Sequence, residues 1–171
     1  VYHYINGVWN QIGSDIDDVP NTNNHSGHSV SISHDGNIVA IGSYGDDLFA
    51  SESGKVRIYE NIGGNWYQLG ADIYGENSGD RSGWSVSLNS VGNIVAIGAR
   101  DNDGNGTQSG HVRIYNYDGN SWNQLGYDID GESSGDLSGE SVALSGDGNY
   151  VAIGAKYNDD NGSNSGNVRV F

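Results

Sequence analysis

The chain has 171 residues, of which 22 are acidic and 7 are basic, so its formal net charge is −15. This acidity argues against nucleic acid or an anionic membrane surface as a partner, because both are bound through basic faces. No apolar run approaches the roughly 18 to 20 residues of a transmembrane helix, so membrane insertion is not expected, and the absence of cysteine excludes disulfides and thiolate catalysis.

The sequence consists of three copies of one unit. Gly42, Gly98 and Gly154 stand at intervals of 56 residues, and the residues around them recur with the same spacing. A unit of this size is too small to bury a core alone, so we expect adjacent copies to pack on one another. Since the chain has 28 glycines and no apolar period of helical spacing, these copies are predicted to contain strands and turns.

The first predicted strand contains a tryptophan and a glutamine followed by Ile or Leu, and it occurs around Trp9, Trp66 and Trp122. Its alternating pattern is typical of a half-exposed strand. We interpret the repeated tryptophan as a packing contact between adjacent units, with an exposed sugar-binding platform as the alternative. After the first copy of this strand, one extra residue is inserted within 17–22.

Three further strands follow in each unit. Residues 29–33 alternate small and branched side chains, as expected where backbones approach closely. An Asp-Gly turn at 35–36 leads into the apolar run 38–42, which predicts a strand covered on both faces. A polar loop then precedes the last strand, at 54–59. Four strands in each repeat are typical of one blade of a β-propeller.

Three segments of the second unit together form a recognisable sequence pattern. It contains Ser82-Gly83-x-Ser85-Val86, the run Asn93-Ile94-Val95-Ala96-Ile97-Gly98-Ala99, and Gly110-x-Val112-x-Ile114-Tyr115. These segments resemble the FG-GAP type of β-propeller repeat, which is found in integrin α-subunit head domains and in many secreted proteins. The resemblance covers all three units and implies an all-β fold of tandem four-stranded antiparallel blades. The calcium loop that the family carries between its first two strands is only a short turn here, so no calcium is implied there.

The positions at which the 56-residue unit recurs predict the boundaries of the domain and its blades. We expect a single repeat domain over 1–171, with blades at 26–73, 82–129 and 138–171. The third blade lacks a fourth strand, and residues 1–16 match one. Either that strand completes the last blade or a neighbouring one, through edge pairing within the molecule or between copies, or the chain is a piece of a longer array.

Asp101, Asp103 and Asn105 are the candidate metal ligands. They lie at alternate positions of a loop with glycine at its sixth position, which resembles the opening of a calcium loop. The loop supplies about half of the six to eight oxygens that Ca²⁺ requires, and its twelfth position is Val112 rather than Glu. We therefore expect no required cofactor, with Ca²⁺ binding here as the alternative to a solvated turn.

Trp84 is the candidate ligand contact, because it is the tryptophan that varies across the repeats. The acidic pairs Glu76/Asp80 and Glu132/Asp136 could be imagined as a general acid and base, but they recur in loops and are interpreted as solvated.

The five histidines are interpreted as ordinary surface residues: His3, His25, His28, His34 and His111. Three N-x-S/T sequons provide candidate glycosylation sites: Asn24, Asn105 and Asn161.

Together these features predict a non-enzymatic β-propeller-like module that is extracellular, secreted or surface-exposed. It would act in adhesion or as a structural and assembly unit, with a protein or glycan ligand, or further copies of itself, as partner. Two alternatives remain open. One is a glycan- or ligand-binding module assisted by calcium, and the other is a non-catalytic part of a larger secreted or virion-surface protein or enzyme.

Overall fold

A computed structural model describes residues 1–18 and 23–171, and in these residues the chain forms strands and turns but no helix. Accordingly, this part of the chain has no helix of the length and apolar character needed to span a bilayer. The insertion within 17–22 falls largely outside the described residues. The strands, in chain order, are β1 (Tyr2–Ile5), β2 (Val8–Gln11), β3 (Ser29–Ile32), β4 (Ile38–Ser43), β5 (Lys55–Ile62), β6 (Asn65–Gln68), β7 (Ile73–Tyr74), β8 (Ser85–Leu88), β9 (Ile94–Ala99), β10 (His111–Tyr117), β11 (Trp122–Gln124), β12 (Ile129–Asp130), β13 (Ser138–Leu144), β14 (Val151–Ala155) and β15 (Asn167–Val170).

The strands form one antiparallel sheet per repeat. Blade one has the order β3-β4-β5-β6, with the short strand β7 also pairing with β5. Blade two repeats this arrangement with β8-β9-β10-β11 and β12, and blade three contains β13-β14-β15. The predicted all-β fold of tandem antiparallel blades is therefore confirmed.

Residues 1–16 contain two strands rather than one. β1 and β2 pair with each other in an antiparallel hairpin, with Tyr2 opposite Gln11. In the described residues, β15 pairs with β14 and not with this hairpin. Val1 and Ile16 instead pack against the outer face of blade one, beside Val39. The assignment of this segment to the completion of another blade stays a prediction.

The second strand of each blade lies at the centre of its sheet. β4 and β9 are buried along nearly their whole length, as their continuous apolar runs predict. β14 has the same sequence pattern but alternates between buried and half-buried residues, because only one of its faces is covered by another described blade. Apolar residues from adjacent blades thus form the core between the sheets rather than within them.

The blades approach each other closely at two equivalent glycines. Gly42 of blade one lies against the backbone of Gly83, and Gly98 of blade two lies against Gly139. A Cβ atom at either position would overlap the carbonyl oxygen of the facing glycine. The hydroxyl of Ser29 donates a hydrogen bond of 2.7 Å to the oxygen of Gly83. This contact explains why small residues alternate along the first strand of each blade.

The repeated tryptophan joins each blade to the unit before it. The indole Nε1 of Trp66 donates to the carbonyl oxygen of Ile12 at 2.9 Å, and that of Trp122 donates to Leu69 at 2.8 Å. Trp9, at the same repeat position, is 66% exposed. The packing interpretation of this residue therefore agrees with the structure for the second and third copies.

An arginine in the third strand of each blade also reaches the preceding unit. Arg113 donates to the carbonyl oxygen of Tyr74 at 2.8 Å, and Arg169 donates in the same way to Asp130. Arg57 reaches the segment before blade one through an ion pair, in which its Nη2 lies 3.0 Å from Asp18 Oδ1. The basic side chains are thus used to hold successive blades together.

We expect Gly98→Ala to destabilise the fold by about 1–3 kcal/mol, because its Cβ would force two backbones apart. Gly154→Ala is the matched control. It occupies the same strand position, but the nearest atom to its Cβ would be the Ser141 side chain. Chemical denaturation of both variants measures the difference, and equal costs at the two positions would contradict the proposed role of the glycine contact.

Trp122→Phe should lower the free energy of unfolding by about 1 kcal/mol, since it leaves the carbonyl of Leu69 without its donor. Trp9→Phe is the control at an exposed copy of the same position and should change stability little. Urea denaturation of the two variants tests this prediction. Similar losses from both changes would show that the indole hydrogen bond does not join the blades.

Candidate functional site

The loops on one side of the sheets are joined to each other by hydrogen bonds. The loop after β4 and the connection from β6 to β8 meet where Gly79 donates its N–H to Ser51 and Arg81 donates its N–H to Glu52. Both Glu52 and Arg81 have positive φ angles, 50° and 55°. We call the surface formed by these loops and their equivalents in the other blades the loop face.

Two positions per blade bring variable side chains to the loop face. One directly precedes the first strand in blades one and two, and lies just inside it in blade three. The other directly follows the second strand. Because these strands are antiparallel neighbours, the two positions lie side by side. We call the six residues at these positions the rim row: His28, Tyr44, Trp84, Arg100, Glu140 and Lys156.

The aromatic half of the rim row crosses the junction of blades one and two. The ring centroids of His28 and Tyr44 are 4.6 Å apart, and those of Tyr44 and Trp84 are 4.8 Å apart. The guanidinium carbon of Arg100 lies 3.3 Å from the Trp84 ring centroid. Such cation–π contact fixes the orientation of both side chains.

The charged half of the rim row continues into blade three. Arg100 Nη1 is 2.9 Å from Glu140 Oε2, and Lys156 Nζ is 2.8 Å from Glu140 Oε1. Burial opposes ionisation of Glu140, but the hydrogen bonds from Lys156 and Arg100 lower the pKa of its carboxyl group. Burial lowers the pKa of His28, and the positive charge of Arg100 adds to this effect. The row therefore runs from a neutral aromatic end to an ion-paired end.

A pocket of about 310 Å³ opens beside the aromatic half of the row. Tyr44, Trp84 and His25 contribute ring surface, while Asp47 and Glu52 contribute carboxylates. The hydrogen bond from Arg81 to Glu52 raises the pKa of the guanidinium, which also contacts Asp101. The pocket thus combines ring surface with hydrogen-bond acceptors.

Trp84, the predicted ligand contact, is half-buried and lines this pocket. Its contacts Tyr44 and Arg100, and Lys156 farther along the row, were not among the residues predicted from the sequence. The signal that could have identified them is their variation at one fixed position of the repeat. Trp84 varies in the same way, and His28 and Glu140 replace it in the other copies. The ligand role of Trp84 stays a prediction.

Asp101, Asp103 and Asn105 point to different protein partners. Asp101 pairs with Arg81 at 3.1 Å, and Asp103 accepts the backbone N–H of Gln108 at 2.7 Å. The Asn105 amide donates to the Gly131 carbonyl oxygen at 2.8 Å. Calcium binding by these three residues stays a prediction, and it would require Asp101 to lose its ion pair with Arg81.

The three sequon asparagines differ in accessibility. Asn24 is 5% exposed, and its Nδ2 donates to Asp18 at 3.2 Å. Asn105 and Asn161 lie on exposed loops at equivalent positions, although the amide nitrogen of Asn105 is used in the contact with Gly131. Glycosylation stays a prediction, for which Asn161 offers the most accessible amide.

Two interpretations of acidic and histidine residues are wrong. Asp80 and Asp136 are each 3% exposed rather than solvated, and Asp80 accepts hydrogen bonds from Asn102 and from the backbone of Asn77. Both aspartates are buried because their carboxylates accept hydrogen bonds from N–H groups of the loops. His111 is 1% exposed rather than a surface residue, because it opens β10 at the junction with the preceding blade.

His111 also belongs to a group of potential metal ligands. Ligand atoms of Glu76, His111 and Asp128 all lie within 4.8 Å of one another, and this is the one such group of His, Cys, Asp and Glu among the described residues. Burial lowers the pKa of His111, and the charge of Arg113 lowers it further. The imidazole is therefore held neutral, which is the form that binds metals.

Comparison with known proteins supports the interpretation of the repeat. The sequence model of the FG-GAP repeat family matches residues 118–171. A search of curated proteins found no match to the chain.

Solved structures also align with the chain. Hydrazine synthase from Kuenenia stuttgartiensis aligns with a TM-score of 0.50 and 16% identity over 95% of this chain and 46% of that chain. A candidate 6-phosphogluconolactonase from Bacteroides uniformis aligns with a TM-score of 0.48 and 17% identity over 80% of this chain and 38% of that chain. The chain thus spans less than half of either protein. Residues 118–171 thus match the FG-GAP repeat family, and the earlier copies share the spacing and strand order of the repeat.

Proposed function

We propose that this chain is a non-enzymatic recognition module, extracellular or surface-exposed, that acts in adhesion by binding a glycan or protein ligand on its loop face. One observation carries the proposal. The residues that join the blades recur in every repeat, whereas the rim row differs in each copy. A repeated frame with variable surface positions is the arrangement by which repeat proteins build binding surfaces.

The pocket beside Trp84 favours a polyhydroxylated ligand such as a sugar. Its volume, about 310 Å³, lies at the lower end of the usual range for small-molecule sites. The faces of Tyr44 and Trp84 can pack against the apolar surface of a sugar ring, and the carboxylates of Asp47 and Glu52 can accept hydrogen bonds from hydroxyl groups. Calcium assistance from Asp101, Asp103 and Asn105 is a separate proposal that this pocket does not require.

A second candidate function is assembly, and a different observation favours it. Val168 and Val170 of β15 are 69% and 67% exposed, whereas Val56 and Val112, at the same position as Val168, are fully buried between blades. Val30, on the opposite end of the molecule, is likewise 65% exposed. The two ends therefore present complementary halves of the interface that joins the blades, which suits head-to-tail stacking of copies.

Trp84→Ala should weaken ligand binding about tenfold or more, because a central aromatic contact is lost. Trp9→Ala removes an exposed tryptophan that does not line the pocket and should leave affinity unchanged. A glycan array identifies the ligand, and calorimetric titration measures the affinity of both variants. Equal affinity of Trp84→Ala and the unaltered chain would contradict the assignment of the pocket, and failure to bind any glycan would contradict the sugar assignment.

For the assembly function, we expect light scattering to show oligomers that dissociate on dilution. Val168→Asp should yield monomers, because it places a charge in the proposed interface. Val91→Asp is the matched control: Val91 is 68% exposed but lies in the turn between β8 and β9. A chain that is monomeric at all concentrations, or oligomers that survive Val168→Asp, would contradict stacking through this face.

A further inference from the structure

The junction of blades one and two contains a polar group that the loop face does not use. His111 opens β10, Asp128 directly precedes β12, and Glu76 follows β7 of the preceding blade. The Nδ1 atom of His111 lies 3.7 Å from Asp128 Oδ2. Two ligands held at about 2.0–2.2 Å by a tetrahedral ion lie about 3.3–3.5 Å apart. A small adjustment would therefore bring this pair to metal-binding distance.

The His111 side chain is 1% exposed, and its Nδ1 has no hydrogen-bond partner among the described residues. Buried polar atoms in folded proteins are almost always paired, so an unpaired nitrogen facing two carboxylates calls for an explanation. Asp128 is itself oriented, because its Oδ1 accepts a hydrogen bond of 2.6 Å from Gln124. Such support of a ligand by a neighbouring side chain is typical of metal sites.

The other repeats fill the same position from within the chain. In blade one the residue equivalent to His111 is Lys55, whose Nζ lies 2.9 Å from Asp46 and 4.0 Å from Asp72, the equivalent of Asp128. In blade three the residue is Asn167, which donates to Glu132 at 3.0 Å. Blade one thus places the lysine ammonium group against Asp46 and Asp72, whereas blade two presents an imidazole whose Nδ1 has no hydrogen-bond partner among the described residues. An external cation would complete blade two.

We propose that Glu76, His111 and Asp128 bind a first-row transition-metal ion such as Zn²⁺ and thereby join blade one to blade two. One imidazole nitrogen and two carboxylate oxygens form a ligand set that suits Zn²⁺ rather than Ca²⁺, which takes oxygen ligands. Glu76 and Asp128 keep exposed side-chain surface, 42% and 30%, so the ion can enter from solvent and water can complete its coordination. Arg113, 3.2 Å from Glu76, would keep its hydrogen bond to Tyr74 and share this carboxylate with the ion.

Calorimetric titration of the chelator-treated full chain with ZnCl₂ tests the site. We expect binding of one ion per chain and a Tm that rises with Zn²⁺ but not with Ca²⁺. His111→Asn, which installs the residue of blade three, should weaken binding at least about tenfold, since even changes next to a ligand cost 10–100-fold. A His3→Ala/His34→Ala double variant removes two exposed histidines and should bind Zn²⁺ as the unaltered chain does.

His111→Lys provides a second variant that is expected to fold, because blade one holds a lysine at this position. It should raise the Tm without metal and abolish the response to Zn²⁺. Visible absorption of the Co²⁺-loaded unaltered chain gives a readout that needs no variant, and we expect the intense d–d bands of a four- or five-coordinate site. Absence of Zn²⁺ binding and of these bands, or full binding by His111→Asn, would overturn the proposal.

Discussion

The close approach of backbones between blades is the contact on which the rest of the structure depends. Gly42 and Gly98 each lie against the carbonyl oxygen of a glycine in the next blade. The Ser29 hydroxyl donates a hydrogen bond to the carbonyl oxygen that Gly42 approaches. This distance allows the apolar side chains of adjacent sheets to interdigitate, and the cores between blades are built in this way.

The few basic residues show where the fold places its positive charge. The chain has seven lysines and arginines, and each of them takes part in an ion pair in the described structure. Most of these pairs cross from one repeat to the next or join loops of the loop face. Several of the remaining acidic residues, such as Asp103, Asp147 and Asp159, are exposed, whereas Asp80 and Asp136 are buried. The strongly negative surface is therefore a consequence of placing positive charge at the junctions.

The sequence predicts the fold well because its signals are local. The apolar runs at 38–42 and 94–98, the Asp-Gly turns and the 56-residue period each specify a strand or a turn by themselves. The site is predicted less completely, because its residues meet only once the blades are stacked. Trp84 and Arg100 lie 16 positions apart, and Tyr44 belongs to another repeat, so the sequence gives no distance between them. The burial of His111 likewise depends on a loop of the preceding blade.

The rim row has a consequence for how such a surface can diversify. Its members also contact one another across the blade junctions, but none of them belongs to the repeated glycines and tryptophans that join the blades, so they can be exchanged without disturbing those contacts. Each member nevertheless touches its neighbours, as Trp84 touches both Tyr44 and Arg100. New specificities would therefore arise by coordinated replacement of adjacent members, or by duplication and shuffling of whole repeats. An engineer could transplant a pair of side chains from one blade to another in the same way.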